Sequence, residues 1–268
     1  MLDWLGPSLT AYRHRTDLKE LLAGGLARLL GKRISLAFTG MQGVGKSVLL
    51  DQLTGKAART GYRLPPQSQG VETGQIASPK RRIRISVVPG QIAEPRYVAL
   101  DNLFKAKDVP QGVVHVVAQG FAAVRNQDAA RVLVKDAKIT TVPKFRTYQR
   151  ERELADLDET CEAIRDAHRT TRAPKWLIVA VDKIDLYHDT IEKARAYYAP
   201  DANSPFADRL RRLADQAGSD NFRWEAAPVC GCLDGFAWNG REVVPQFEEP
   251  QRQAYPAQFL DLLKSYCV

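Results

Sequence analysis

Apolar residues alternate with polar ones at Ile34, Leu36 and Phe38, the pattern of a strand with one buried face. Beyond a short glycine-rich stretch, Val48, Leu49, Leu50 and Leu53 supply one side of a helix. Residues 82–88 alternate isoleucines with arginines and read as a further strand, preceded by a shorter one at 75–77 that extends toward Ser78. Residues 113–117 and 176–181 are apolar almost without interruption, as strands covered on both faces are. Residues 148–168 carry Leu154, Leu157, Cys161 and Ile164 on one helical face, and Ser204-Pro205 opens another helix through Phe206, Leu210 and Leu213. Residues 222–230 predict the last strand and 255–266 the terminal helix. Strands spaced by helices predict an α/β fold: a three-layer sandwich, its mostly parallel sheet covered by helices on both faces.

Two stretches are longer than this alternation needs, so insertions are expected at about 120–147 and 233–252 of a domain spanning 33–268. The first carries Arg125, Arg131, Lys135, Lys138, Lys144 and Arg146, a solvated surface or a docking surface. Residues 64–70, rich in proline, glutamine and glycine, predict an exposed loop. Residues 1–32 predict an amphipathic helical extension: Leu18, Leu21, Leu22, Leu26, Leu29 and Leu30 recur at helical spacing behind a capping pair, Asp17 and Glu20. It is expected to pack as a cover on the sheet, or, with Leu2, Trp4 and Leu5 ahead of it, to make a peripheral membrane or partner contact.

With 268 residues, 44% of them hydrophobic, the chain can bury a sizeable core. No apolar run reaches the ~20 residues that span a bilayer and no signal peptide is recognisable, so a cytoplasmic location is expected. The net charge of +8 is dispersed, which suits general solubility or an acidic partner, and no nucleic-acid motif accompanies it. Cys161, Cys230, Cys232 and Cys267 are expected as reduced thiols, since Cys230-Gly231-Cys232 is too tight to clamp zinc.

The glycine-rich stretch is Gly40-Met41-Gln42-Gly43-Val44-Gly45-Lys46-Ser47, which fits G-x-x-x-x-G-K-[ST] between a strand and a helix. Glycines let successive backbone N–H groups point into one concavity, and the helix that follows adds its positive end. Lys46 is the candidate for the β- and γ-phosphates, and Ser47 for a magnesium ion bridging them. Pro89-Gly90-Gln91 follows the 82–88 strand: Gly90 can offer a backbone N–H to the γ-phosphate, and Gln91 can orient a water. The 176–181 strand ends in Asp182-Lys183-Ile184-Asp185.

In this order the three elements resemble the Ras-like small GTPases of the P-loop class, whose second switch reads D-x-x-G-Q and whose base-reading motif reads N-K-x-D. Without the aspartate, where Val87 stands here, the Pro-Gly-Gln turn is similar to the bacterial MglA-type GTPases. The resemblance implies GTP and GDP with magnesium as cofactors, a slow nucleotide-dependent switch, and an effector or activating protein, one encoded nearby included. It implies Asp185 on the guanine N1–H and exocyclic amine, Lys183 along the base, and Asp182 in place of an asparagine. Cys230 and Gly231 occupy the base-closing segment, and a threonine, Thr73 with Thr60 and Ser68 as rivals, joins Ser47 on the metal. Lys46 and Gln91 would be the catalytic pair. Arg96 and the arginines of the first insertion are open as internal charge donors to the transition state. Two alternatives stand beside this one: an inactive nucleotide-binding interaction module, motivated by Val87, and a P-loop ATPase in which Asp182 serves the magnesium site.

Overall fold

The computed structural model describes residues 4, 32–66, 70–78, 81–90, 94–105, 109–169, 173–218 and 220–267. The amphipathic extension expected at 1–32 lies outside them apart from its boundary and Trp4. Trp4, which the sequence offered either to a cover on the sheet or to a membrane or partner, is buried in the core.

Six strands form the main sheet: β1 (Lys32–Thr39), β2 (Glu72–Ser78), β3 (Arg81–Val87), β4 (Gly112–Val117), β5 (Trp176–Val181) and β6 (Arg223–Pro228), in the order β2-β3-β1-β4-β5-β6. All neighbours are parallel except β2, which runs antiparallel to β3 at the edge. Every residue of β4 and β5 is buried, in keeping with their unbroken apolar spelling.

Among the described residues seven α-helices accompany the sheet: α1 (Lys46–Leu53), α2 (Glu94–Phe104), α3 (Gln127–Lys135), α4 (Val142–His168), α5 (Ile191–Tyr198), α6 (Pro205–Ala217) and α7 (Glu249–Tyr266). α1 packs with α7, while α2 and α6 pack on α4 and α5 on α6, so the sheet lies between two helical layers. The fold is the α/β P-loop sandwich that the pattern predicted. None of the helices among the described residues is long and apolar enough to cross a membrane.

The ends of the elements obey local chemistry. Ser204 Oγ accepts from Ala207 N–H at 3.1 Å and starts α6 where Ser204-Pro205 predicted it. α4 begins at Val142, six residues before the expected 148, because Thr141 caps it and buried Phe145 anchors its first turn. The polar residues Lys144 and Arg146 mask that turn in the sequence. α2 and α5 were unforeseen: α2 places the charged Arg96 within the stripe of Ala99, Leu100 and Phe104 that it buries, and α5 is only eight residues long.

The stretch expected as a second insertion holds a hairpin, β7 (Phe236–Trp238) with β8 (Arg241–Val243). Asn239 and Gly240 turn it with φ of 47° and 76°, as a two-residue Asn-Gly turn requires. All four cysteines are free; Cys161, Cys230 and Cys267 are buried and Cys232 is half-buried.

Candidate functional site

The parallel strands deliver their C-terminal ends to one edge of the sheet, and the loops there enclose a cavity of about 250 Å³. Its phosphate-like end is made by the loop between β1 and α1. Gly45 caps α1 with a φ of 109°, and a Cβ there would strike the Asp182 carboxylate, so only glycine fits. Gln42, Gly43, Gly45, Lys46 and Ser47 line the cavity, while Gly40 and buried Val44 stand behind it. Lys46 Nζ donates to the carbonyls of Gly40 (2.6 Å) and Met41 (2.9 Å). Burial lowers its pKa to about 8, which gives the ammonium a strong preference for an anion within reach.

Gly90 also lines the cavity. Its carbonyl accepts from Gln42 N–H at 2.8 Å, and a Cβ on it would meet the Gln42 nitrogen and come 2.5 Å from Lys46 Nζ. The loop leaving β3 therefore lies against the glycine-rich loop. Ser47 Oγ donates to Glu72 Oε1 at 3.0 Å, across from the first residue of β2.

A buried charge network supports this end. Arg96 of α2 is fully enclosed; its NH2 lies 2.6 Å from Asp156 Oδ1 and its Nε 2.8 Å from Glu159 Oε2, both on α4. Its NH1 donates to the carbonyls of Gly40 and Pro89, each at 3.3 Å. One guanidinium thus ties the glycine-rich loop and the Gly90 loop to α4. Burial raises Asp156 to about 6 against the opposing pull of Arg96, and burial holds His115 down at about 3, so that it is neutral beside Thr39 (2.9 Å).

The opposite end is built from side chains. After β5, Lys183 takes a left-handed conformation (φ 59°), and its Nζ donates to the Phe121 carbonyl at 2.8 Å. Asp182 Oδ1 accepts from the N–H groups of Lys183 (2.7 Å) and Gly231 (2.9 Å). Asp185 Oδ1 receives the Cys230 thiol at 3.4 Å, while its buried Oδ2 has no hydrogen-bond partner. Burial raises Asp182 to about 7 and Asp185 to about 6. Asp182, Lys183 and Asp185 line the cavity; Cys230 and Gly231 lie behind it, and their neighbour Cys232 reaches the wall.

Three segments complete the wall: 64–66, 123–125 and the hairpin strand β7. Trp238 is fixed by Phe145, with ring centres 4.1 Å apart, and by its Nε1 donating to the Ile139 carbonyl at 2.9 Å. Phe121 stacks on Tyr187, and the Arg146 guanidinium lies 4.3 Å from the Phe121 ring centre and 5.9 Å from that of Tyr187.

Several residues singled out in the sequence are not brought to the cavity. Thr73 lies on the exposed face of β2, since strand alternation turns it away from the face that carries Glu72, Gly74 and Ile76 toward α1. Thr60 is exposed, and Ser68 and Gln91 are outside the described residues. Asp182 faces Gly45 and Gly231 and not Ser47; the carboxylate at Ser47 is that of Glu72. Arg96 is sealed beneath the loop, whereas Arg125 of the first insertion lines the cavity and donates to the Pro65 carbonyl at 3.3 Å. Sequence reading missed Glu72, a lone acid in a short strand with no motif around it. It also missed the hairpin wall, for which Asn239-Gly240 between alternating residues was the available signal.

Among solved structures the chain is similar to the FeoB G-domain from Methanococcus jannaschii, at 15% identity over 88% of this chain and 98% of that one, with a TM-score of 0.44. It is also similar to the bacterial selenocysteine-specific elongation factor EF-Sec, at 18% identity over 75% of this chain and 26% of that one, with a TM-score of 0.41. No curated protein matches the chain. Residues 35–150, less than half of the chain, match the family model described as 50S ribosome-binding GTPase, which supports a P-loop GTPase.

Proposed function

We propose that the cavity binds GTP and GDP with magnesium, and that the chain is a slow GTPase acting as a nucleotide-dependent switch on a partner protein. The observation that carries this reading is Asp185 Oδ2, a buried carboxylate oxygen without a hydrogen-bond partner, on a residue that lines the same cavity as Lys46. Guanine offers it two adjacent donors, N1–H and the exocyclic amine; adenine offers no such pair. Lys183 lies along the wall where its stem covers a base.

The donor chemistry at Ser47 suits magnesium: a hydroxyl and a carboxylate are hard oxygen ligands, and phosphate oxygens add to them. Bound there, the ion would neutralise charge on the β- and γ-phosphates. Lys46 would leave the carbonyls of Gly40 and Met41 for those oxygens, Gly90 would donate its N–H to the γ-phosphate, and Gln91 would orient the attacking water. Thr73 would need a rearrangement of β2 to join the metal. Tyr97 and Val98 of α2 are each half exposed just beyond the Gly90 loop, a position from which a partner can read the nucleotide state. Residues 1–32 are proposed as an extension of the nucleotide domain.

Competition between nucleotides tests the assignment. GTP and GDP should displace a fluorescent guanine nucleotide while ATP does not, and Asp185→Asn should shift preference toward xanthine nucleotides. Preference for ATP would sink it. Val87, apolar and buried, favours a second reading in which binding survives without useful hydrolysis. Single-turnover hydrolysis at high protein concentration separates the two, since the inactive module releases no phosphate.

A further inference from the structure

β3 ends in Val87, a buried apolar residue at the place where the Ras-like pattern has an aspartate. β2 runs antiparallel beside it, and the register sets Glu72 directly opposite Val87. Residues paired in this way project to the same face of a sheet with their Cβ atoms roughly 5 Å apart. That face is the one toward α1: a Cβ on Gly74, two residues along, would lie 2.6 Å from Leu50 Cδ1 of α1. The carboxylate missing from β3 is thus present one strand over, on the same side, with a side chain longer by one methylene.

Its contact identifies what it serves. Ser47 Oγ donates to Glu72 Oε1 at 3.0 Å. A hydroxyl has one proton and two lone pairs, so a serine that gives its proton to a carboxylate keeps both lone pairs for a cation, and the direction of that hydrogen bond fixes where they point. The glutamate is half-buried, within reach of a metal-bound water at Ser47. Magnesium sites are of this kind, with one or two carboxylates, retained waters and phosphate oxygens.

We propose that Glu72 supplies the carboxylate of the magnesium site from β2, orienting Ser47 and holding the ion through water, and that Val87 is the apolar half of this exchange between strands. The proposal rests on the guanine-nucleotide reading of the cavity and names a residue of its metal site.

The test is the release of fluorescent GDP from the full chain, with excess magnesium and with EDTA. In the wild type, magnesium should slow release. In Glu72→Gln, which keeps the shape and an acceptor oxygen, the magnesium dependence should weaken roughly 10- to 100-fold, as for other groups that hold a metal's ligands, while release in EDTA stays unchanged. Adding Val87→Asp to Glu72→Gln should restore it by returning the charge to β3. Manganese binding to the GDP complex, followed by the spin-resonance signal of the free ion, should weaken and recover in parallel without any turnover. Unaltered magnesium dependence in Glu72→Gln, or a loss that Val87→Asp does not reverse, overturns the proposal and leaves the guanine-nucleotide reading standing. A wild type that holds no GDP even in EDTA overturns that reading, and the proposal with it.

Discussion

The two ends of the cavity are made of different materials. At the phosphate-like end the contact groups are mostly backbone, from the glycine-rich loop with Gly90 beside it, and one buried arginine braces both loops from beneath. At the base-like end they come from four separate stretches, 64–66, 123–125, 182–186 and 232–238, and the polar contacts are carboxylates whose burial raises their pKa. Backbone donors bear no ionisable group and leave little room for substitution. Side chains can be exchanged singly, each with its own effect on the wall.

The sharpest way to break this contrast is at Lys46. On the proposed reading, Lys46→Ala should lower affinity for every nucleotide by about 100-fold or more, whatever its base, because a buried ammonium paired with a phosphate is worth about 3 kcal/mol or more. Titration calorimetry with GDP, GTP and inorganic pyrophosphate checks it. Tight GTP binding by the variant would mean that the base-like end holds the ligand unaided.

Next in size is the brace. Arg96→Met leaves Asp156 buried without its guanidinium, a change that typically costs about 3–5 kcal/mol, read by chemical denaturation. The two ends should respond unequally: residual nucleotide affinity should fall, since Gly40 and Pro89 lose their shared donor, while selectivity for guanine persists. Replacing Arg96 and Asp156 together by apolar residues should recover much of the stability, which would make the pair a positioning device more than a stabilising one.

How legible each end was follows from the same contrast. Gly40 to Ser47 could be read at once, because a loop that must place consecutive N–H groups on an anion has few spellings. Asp182-Lys183-Ile184-Asp185 was readable as a variant of a contiguous motif. Glu72 was not, since its meaning lies in a cross-strand register with Val87 that no local pattern encodes. The brace was hidden likewise: Arg96, Asp156 and Glu159 meet over some sixty residues of chain, and in sequence each looks like a surface charge. Val113 to Val117 and Trp176 to Val181 announced a central sheet by composition, whereas α2 sets Arg96 into the short stripe of Ala99, Leu100 and Phe104 that it buries.

Asp182 sharpens the comparison through pH. Its folded pKa, about 7, lies above the ordinary 3.8, so the folded state holds the proton more tightly. The stability this gives is complete below about pH 4 and is lost as pH rises through 7. Asp182→Asn keeps the acceptor for Lys183 and Gly231 and carries no such loss. The variant should therefore gain on the wild type progressively between pH 4 and 7, reaching on the order of 2–4 kcal/mol above that range. Thermal melts of the nucleotide-free protein across that interval check it, and a constant difference would show that burial of this carboxylate costs nothing.

The smallest effect is expected at the rim, where two of the separate stretches of the base-like end meet. Arg125 is exposed and joins the 123–125 wall to the 64–66 wall through one hydrogen bond to Pro65. Such a contact is worth about 0.5–1 kcal/mol, so Arg125→Ala should weaken GDP binding only about two- to fivefold, and less at high salt. Arg125 is also the arginine of the first insertion that lines the cavity, while Arg96 is committed to the brace. The two roles separate kinetically. A wall residue changes affinity and leaves single-turnover GTP hydrolysis within a factor of a few. An arginine that meets the transferring phosphoryl group would instead cut hydrolysis about 1000-fold with affinity almost unmoved. Its hydrogen bond to Pro65 holds the guanidinium on the wall, so the first outcome is expected, with any charge for faster turnover left to a partner.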